Sequence, residues 1–418
     1  MNEPLLELLT IGREILDGRV VDTNSTEMAL RLSEQGLTPR FGQRVDDDPE
    51  RILQAFAIAQ NRSDFVLVTG GLGPTSDDLS AETFAKFVKQ PLELNSEALE
   101  QIRSRFEFMK RPMTAVQEKQ AWLPRGCTIL ENLEGTAPGF SFRHEKTIWF
   151  FMPGVPREML YILRTHVLPQ LPQVKTFRRW QWATQFTSEG TLQEQLRPVI
   201  AKLPKGWEFT FRTRMPENHV GLLADTQGQC ELDDAFEAIA TDVRQILRGQ
   251  FFHEGETLLE LEAVVIDKAR DKKIHIGTVE SCTGGLVANR ITDISGSSDV
   301  FWGSQVVYDN RMKEALGVNP HVLQEQGAVS KAVAEELALL GAQKLKMSGA
   351  AQALCVSTTG IAGPSGGTPT KPVGLCWIGI SNGDWSRAEP FQVRPGLKRQ
   401  DYKRFFAQKA LDVLRQNL

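Results

Sequence analysis

The sequence predicts an α/β protein with a smaller α+β segment set into its middle. Short apolar runs that end in glycine turns and lead into helical periodicity occur towards both ends of the chain, and the stretch from about Pro172 to Phe252 breaks that alternation. The 418 residues, against a prior of about 150 per domain, suffice for two or three separate cores. Hydrophobic residues at 41% and charged residues at 24%, with 34 Gly and 21 Pro, exclude disorder, collagen and coiled coil.

Leu5 to Ile11 is apolar and stops at Gly12, and Asp64 to Thr69 repeats the design into Gly70-Gly71, so both read as buried strands entering glycine turns. Between them Ser25 to Gln35 reads as a helix, with Asn24 and Glu27 spaced as a capping box and Gly36 as a stop. Strand, helix and strand in that order imply a parallel sheet. A further helix is expected over Leu79 to Val88. In the middle stretch, Trp180, Trp182, Trp207, the alternating run Glu208 to Thr213 and a helical pattern from Leu232 to Leu247 read as a small α+β unit. From about Gly255 the α/β pattern returns, with a helix at Leu258 to Ala269, a strand at Ile274 to Val279, a Gly-Gly turn, a helix at Leu286 to Thr292 and a strand at Leu354 to Ser357. The expected domains are 1–170, 171–254 and 255–418.

A formal charge of −4 argues against a chain-wide footprint for nucleic acid. Cys127, Cys230, Cys282, Cys355 and Cys376 form no CxxC pair and are odd in number, so neither a disulfide framework nor a zinc site is expected. The acidic start and the absence of a long apolar run lead to the expectation of a cytoplasmic protein.

Three constellations could carry chemistry. Thr69-Gly70-Gly71-Leu72-Gly73-Pro74-Thr75-Ser76-Asp77-Asp78 falls where a buried strand hands over to a helix, the usual ligand crevice of an open α/β sheet. Gly70, Gly71 and Gly73 would let backbone N–H groups approach phosphate, Asp77 and Asp78 would offer hard oxygen ligands, and Glu14 and Asn24 could face the same crevice. The alternative is that Asp77 and Asp78 only cap the next helix. Glu280-Ser281-Cys282-Thr283-Gly284-Gly285 also follows a strand and opens a helix, which suits a nucleophilic Ser281 at a positive helix end. Its alternative is a turn of small residues with Ser or Thr as cap, and Cys282 is a second candidate nucleophile against a buried structural role. No histidine sits in a recognisable triad pattern, leaving lysine as the candidate base. Lys313 would need its amine, ordinarily near pKa ~10.4, shifted down to act; taken alone it reads as a solvated helix residue. Thr358 to Gly374 carries five glycines and three prolines after a strand, a shaped loop suited to cradling a ligand.

Gly12-Arg13-Glu14-Ile15-Leu16, Asp22-Thr23-Asn24, the Thr69 to Asp78 run and Pro153-Gly154-Val155-Pro156-Arg157-Glu158-Met159 resemble the N-terminal half of the CinA (competence/damage-inducible) family. Glu280 to Gly285, Gly296-Ser297-Ser298, Tyr308 to Lys313, Gly327 to Ser330 and the Thr359 to Gly374 loop resemble its C-terminal amidase domain. The resemblance implies a molybdopterin-binding-like α/β N-terminal domain, a KH-like α+β middle domain and an α/β amidase domain. It implies hydrolysis of nicotinamide mononucleotide (NMN) to nicotinate mononucleotide and ammonia, for NAD recycling. It also implies ADP-ribose pyrophosphatase activity in the N-terminal domain, with a divalent metal (Mg, Mn or Co) and K+, whereas the amidase domain needs no cofactor. Within it, Ser281 would attack the carboxamide, Lys313 would relay the proton, and Ser298 and Tyr308 would assist, with Ser298 an alternative nucleophile. Thr283, Gly284, Gly285, Thr359, Gly360, Gly363 and Arg399 would bind substrate; Gly70, Gly71, Gly73 and Asn24 would bind the second nucleotide, and Glu14, Asp77 and Asp78 its metal. The chain departs from the family pattern at Arg13, Asp22, Asp309 and Lys398. A homodimer without membrane or direct nucleic-acid contact is expected. The competing reading is a non-catalytic ligand-binding or scaffold protein in competence and DNA uptake.

Overall fold

The structure, a computed structural model, describes residues 4–172, 177–225 and 230–418. The chain forms two compact units, Met1–Thr176 and Phe177–Leu418, so the middle segment belongs to the same unit as the C-terminal domain.

In the first unit the order is β1 Leu6–Ile11, α1 Arg13–Leu16, α2 Thr23–Glu34, β2 Phe41–Val45, α3 Pro49–Arg62, β3 Phe65–Thr69, α4 Ser80–Phe87, β4 Leu92–Leu94, α5 Ser96–Phe108, α6 Ala115–Glu118, β5 Trp122–Pro124, β6 Thr128–Leu130, β7 Gly139–His144, β8 Thr147–Met152 and α7 Pro156–Ile162. Six strands make one sheet in the order β2-β1-β3-β8-β7-β6. β1, β2, β3 and β8 run parallel and β7 and β6 return antiparallel. β1 is buried at every position, which is why it reads as a continuous apolar run. Apolar layers cover both faces, one centred on Phe56, Phe84, Trp149 and Phe151 and the other on Met28, Leu32, Leu67 and Phe150.

Two local expectations change. The helix expected from Ser25 begins at Thr23, and Asp22 caps it by accepting from Ser25 N at 2.9 Å. Asn24 therefore lies inside the first turn rather than at its cap. Asp77 and Asp78 do not cap α4, whose N-cap is Leu79 without a side-chain bond.

The second unit opens with β9 Phe177–Gln185, α8 Glu189–Ile200, β10 Glu208–Arg214, β11 Glu217–Asp225, α9 Cys230–Ile246 and β12 Phe251–Gly255, an antiparallel sheet in the order β10-β11-β9-β12. This is the α+β insert that the sequence pattern predicts. It continues into α10 Leu261–Lys272, β13 His275–Glu280, α11 Leu286–Thr292, β14 Phe301–Val306, α12 Asn310–Leu316, α13 Pro320–Gln326, α14 Lys331–Met347, β15 Ala353–Gly360, β16 Leu375–Ser381, β17 Ser386–Gln392 and α15 Arg399–Asn417. Here the sheet order is β14-β13-β15-β16-β17, parallel through the first three strands. Gln408 Nε2 donates to Gln185 Oε1 at 3.1 Å and to Glu217 Oε1 at 2.9 Å, tying the insert to α15 through buried groups. Among the described residues no helix is long and apolar enough to cross a membrane.

Candidate functional site

Parallel strands deliver their carboxyl ends to one edge of the sheet, and the segments leaving β13, β14 and β15 meet there. Ser281 follows β13 and is 8% exposed; its backbone N–H donates to Thr358 O at 2.9 Å. Val307 N donates to Glu280 O at 2.8 Å, holding the chain after β14 against the same point. α12 then carries Lys313 back beneath it. Contrary to the solvated reading, Lys313 is 1% exposed, and its Nζ donates to Val307 O at 2.9 Å and Tyr308 O at 3.1 Å. Burial pushes the amine below its ordinary lysine range, while the carboxylate of Asp309 and the thiol of Cys282 pull the other way. Asp309 caps α12 by accepting from Arg311 N, and the Arg311 guanidinium holds its own carboxyl down to about 2.

The helix end behind Ser281 is occupied. Glu280, fully buried, accepts from the N–H groups of Gly285, Val287 and Ala288 and from the Thr278 hydroxyl. A carboxylate at this position neutralises the positive end of α11, so those donors are not free for an oxyanion. Ser281 Oγ makes no hydrogen bond among the described residues. Cys282 turns into the core, its Sγ 3.6 Å from Cys376 Sγ, and is the structural thiol rather than a nucleophile.

Arg399, the first residue of α15, is exposed and donates Nη1 to Gly363 O at 2.6 Å and Nη2 to the Tyr308 hydroxyl at 2.7 Å. It therefore links the start of α15 to the Gly-rich loop and to the chain after β14. One turn further on, Lys403 places its Nζ 3.5 Å from where a Cβ on Gly284 would stand. Sequence reasoning missed Lys403, although its four-residue spacing from Arg399 places both cations on one helix face.

Several expected contacts are corrected. Ser298 precedes β14 and lies at the opposite end of the sheet from Ser281, because the six residues of β13 set about 20 Å between its two ends. Within this chain it joins neither Ser281 nor Lys313. Thr283 and Thr359 are buried, and their hydroxyls are committed to Thr358 Oγ1 at 2.7 Å and Ala328 O at 2.6 Å, so they shape the site instead of reaching into it. Gly360 is required by the sheet: a Cβ there would stand 2.6 Å from Leu375 O. Gly284 and Gly285 form the turn into α11, and Gly363 presents the carbonyl that holds Arg399. Gly-x-Ser-x-Gly does occur, at Gly363 to Gly367 and Gly379 to Gly383, but Ser365 sits on an exposed loop and the buried Ser381 donates to Trp385 O at the end of β16. Neither is a strand-to-helix elbow.

The first unit holds a cavity of about 430 Å³ at the carboxyl ends of β1, β3 and β8, lined by Glu14, Asn24, Gly70, Gly71, Gly73, Asp77 and Asp78 together with Asp47 and Glu158. Gly70 is required here, since at φ 102° a Cβ would stand 2.1 Å from Ile11 O. Asn24 Nδ2 donates to Thr69 Oγ1 and Gly154 O, and its buried Oδ1 has no partner among the described residues. Asp47, missed in the sequence although it lies in the run Asp46-Asp47-Asp48, accepts from Arg13 N. Burial lifts its carboxyl above the ordinary range and the charges of Glu14, Asp77 and Asp78 add to the lift, against the Arg13 amide. Burial likewise raises Glu158, against the side-chain bond from Asn132. Neither Arg13 nor Asp22 lines the cavity: Arg13 is exposed, and Asp22 is engaged by Ser25 and Arg44.

Glu14, Asp77 and Asp78 do not converge as a ligand set. Among the described residues no three His, Cys, Asp or Glu side chains stand where they could hold an ion by themselves, and Asp78 accepts from the Thr75 N–H and hydroxyl. The donors fit a hydrated divalent ion shared with substrate phosphates, which needs only one or two carboxylates.

Comparison with known proteins adds the family. The description "CinA C-terminal domain" matches residues 258–418, and "Probable molybdopterin binding domain" matches residues 7–173. A CinA-like protein of Dictyoglomus thermophilum is 36% identical over 99% of this chain and 98% of its own length. This chain belongs to the CinA family. A second CinA-like protein, from Dictyoglomus turgidum, is 34% identical over 99% of this chain and 98% of its own. A solved CinA structure from Thermoplasma acidophilum, whose function is given as unknown, is 37% identical, covers 39% of this chain and 96% of its own, and superposes with a TM-score of 0.37. In this CinA protein the middle segment is the stretch between the two matched regions.

Proposed function

We propose that the second unit hydrolyses the carboxamide of NMN, giving nicotinate mononucleotide and ammonia. The observation that carries this reading is Lys313: a buried lysine without a salt-bridge partner among the described residues, depressed by burial, its Nζ on the carbonyl of Val307, whose own N–H holds Glu280 O beside Ser281. In its neutral form Lys313 takes the Ser281 hydroxyl proton as Oγ attacks the carboxamide carbon. The proton passes to the departing nitrogen, ammonia leaves, and water releases the acid from the acyl-serine. Arg399 and Lys403 supply fixed positive charge for the phosphate. The test is ammonia and nicotinate mononucleotide formation by the purified chain beside Ser281→Ala. Turnover is lost in the variant if the reading holds; unchanged turnover sinks the serine mechanism.

A second reading concerns the first unit, where carboxylates and the unpartnered Asn24 oxygen share one cavity. Here the proposal is hydrolysis of the ADP-ribose pyrophosphate to AMP and ribose 5-phosphate. One or two of the carboxylates Glu14, Asp77 and Asp78 would hold a hydrated divalent ion together with the substrate phosphates, with K+ part of the same expectation. Such an ion, when bound, neutralises phosphate charge. Products that persist in Asp78→Asn, or that never form with Mg, Mn or Co, reject it. The scaffold reading predicts salt-sensitive DNA or partner binding by a chain without either activity.

A further inference from the structure

A seam between the insert and the C-terminal sheet, inside the second unit, encloses a cavity of about 490 Å³. Its character differs from that of the two sites above. Phe186, just after β9, is held at φ 61°, an unfavourable backbone for a bulky residue, and is still 36% exposed. Its ring centroid lies 4.9 Å from that of Phe391 and 6.4 Å from that of Phe405, so three aromatic side chains make one wall. Exposed aromatic surface gathered round a concave seam is the signature of a ligand site rather than of scattered surface residues.

The polar groups are sorted. On the insert side Asn218 is 7% exposed and donates Nδ2 to Thr187 O at 2.5 Å, while its buried Oδ1 has no partner among the described residues. Because Nδ2 must face that carbonyl, the orphaned atom is the acceptor. Glu189 adds a second acceptor, with one oxygen bonded to the Thr213 hydroxyl at 3.1 Å. On the other side Arg394, just beyond β17, is exposed, and its guanidinium makes no ion pair among the described residues.

We infer that this seam binds a nucleotide. A flat base fits against the phenylalanine rings, because stacking tolerates any base. Its amino hydrogens meet the exposed Glu189 carboxylate on the insert side, and its phosphate meets Arg394. The wall is anchored to the Gly-rich loop of the amidase domain, Val393 N donating to Gly374 O at 3.0 Å and Gln392 Nε2 to Val373 O at 3.2 Å, but it shares none of Ser281, Lys313 or Arg399.

The test is calorimetric titration of the full chain with AMP, adenosine and inorganic phosphate, beside Arg394→Ala and Phe186→Leu, both substitutions at exposed side chains. Each variant is expected to weaken one AMP site at least tenfold, and adenosine is expected to bind the unaltered chain about as weakly as AMP binds Arg394→Ala. AMP affinity unchanged in both variants overturns the inference. So does AMP binding lost only in Arg399→Ala or Asp78→Asn, which places the nucleotide in one of the other sites. Inorganic phosphate binding as tightly as AMP also overturns it, leaving a bare anion site. Heat of binding is independent of turnover, so failure of the amidase reading leaves this result interpretable.

Discussion

Replacing Lys313 by Met keeps an apolar stem of the same unbranched shape, with sulfur in place of one methylene, and removes the terminal amine. The loss is two hydrogen bonds, 2.9 Å to Val307 O and 3.1 Å to Tyr308 O. Leaving those carbonyls without a donor costs about 1–3 kcal/mol each, while removing an ammonium from a buried position relieves a penalty of similar size. The two terms oppose, so unfolding stability is expected to change by no more than about 2 kcal/mol. Loss of a general base should lower kcat/KM by about 100- to 10,000-fold, or roughly 3–5 kcal/mol. The pH dependence separates the roles further. Because the folded amine lies below its unfolded value, kcat/KM rises as pH passes through the folded value and levels off below ~10.4. The burial penalty is present in full below the folded value and vanishes above the unfolded one, so the unaltered protein gains stability with pH across that interval and Lys313→Met does not. Ammonia release between pH 6 and 10, with denaturant melts of both proteins, makes the comparison. A variant that keeps kcat/KM within tenfold while losing stability would show Lys313 to be a structural anchor and would refute the reasoning.

Glu280→Gln should destabilise the second unit by about 2–4 kcal/mol, since an amide cannot accept from three N–H groups and a hydroxyl as the carboxylate does; chemical denaturation reads this directly. Arg399→Ala should raise KM for NMN at least tenfold with a smaller effect on kcat, and an equal fall in both would place the guanidinium at the reacting carbon instead. Gly70→Ala should abolish whatever the first cavity binds and cost about 2 kcal/mol or more, because the added Cβ meets a backbone carbonyl rather than a side chain that can move. A thermal melt of the first unit's transition checks it.

The apolar runs and glycine stops made β1, β3, β13 and α11 legible, because burial on both faces writes itself as a continuous hydrophobic stretch. Antiparallel β7 left no comparable mark, since only its first half is buried, whereas parallel β8 carries the same apolar run from Ile148 to Met152. Around Ser281 the turn, the loop and Arg399 were readable as residue types, whereas the burial of Lys313 was not. A lysine at the surface and one folded under its own chain look alike until the path after β14 is known. Ser298 misled for the converse reason: nearness in sequence to β14 says nothing about which end of a parallel sheet a residue occupies. Asn24 shows the same limit at smaller scale, where a capping box two residues from the true cap at Asp22 hid a side chain that lines the cavity.

Arg399 presents five N–H groups and uses only two of them, on Gly363 and Tyr308. Its plane is thus set before any anion arrives, and the rotamer entropy of about 2 kcal/mol that a free arginine loses on binding is already lost in folding. On the proposed reading, phosphate recognition then becomes a property of three distant segments acting as a vice. Tyr308→Phe would loosen the grip on an anion that the tyrosine itself need never touch.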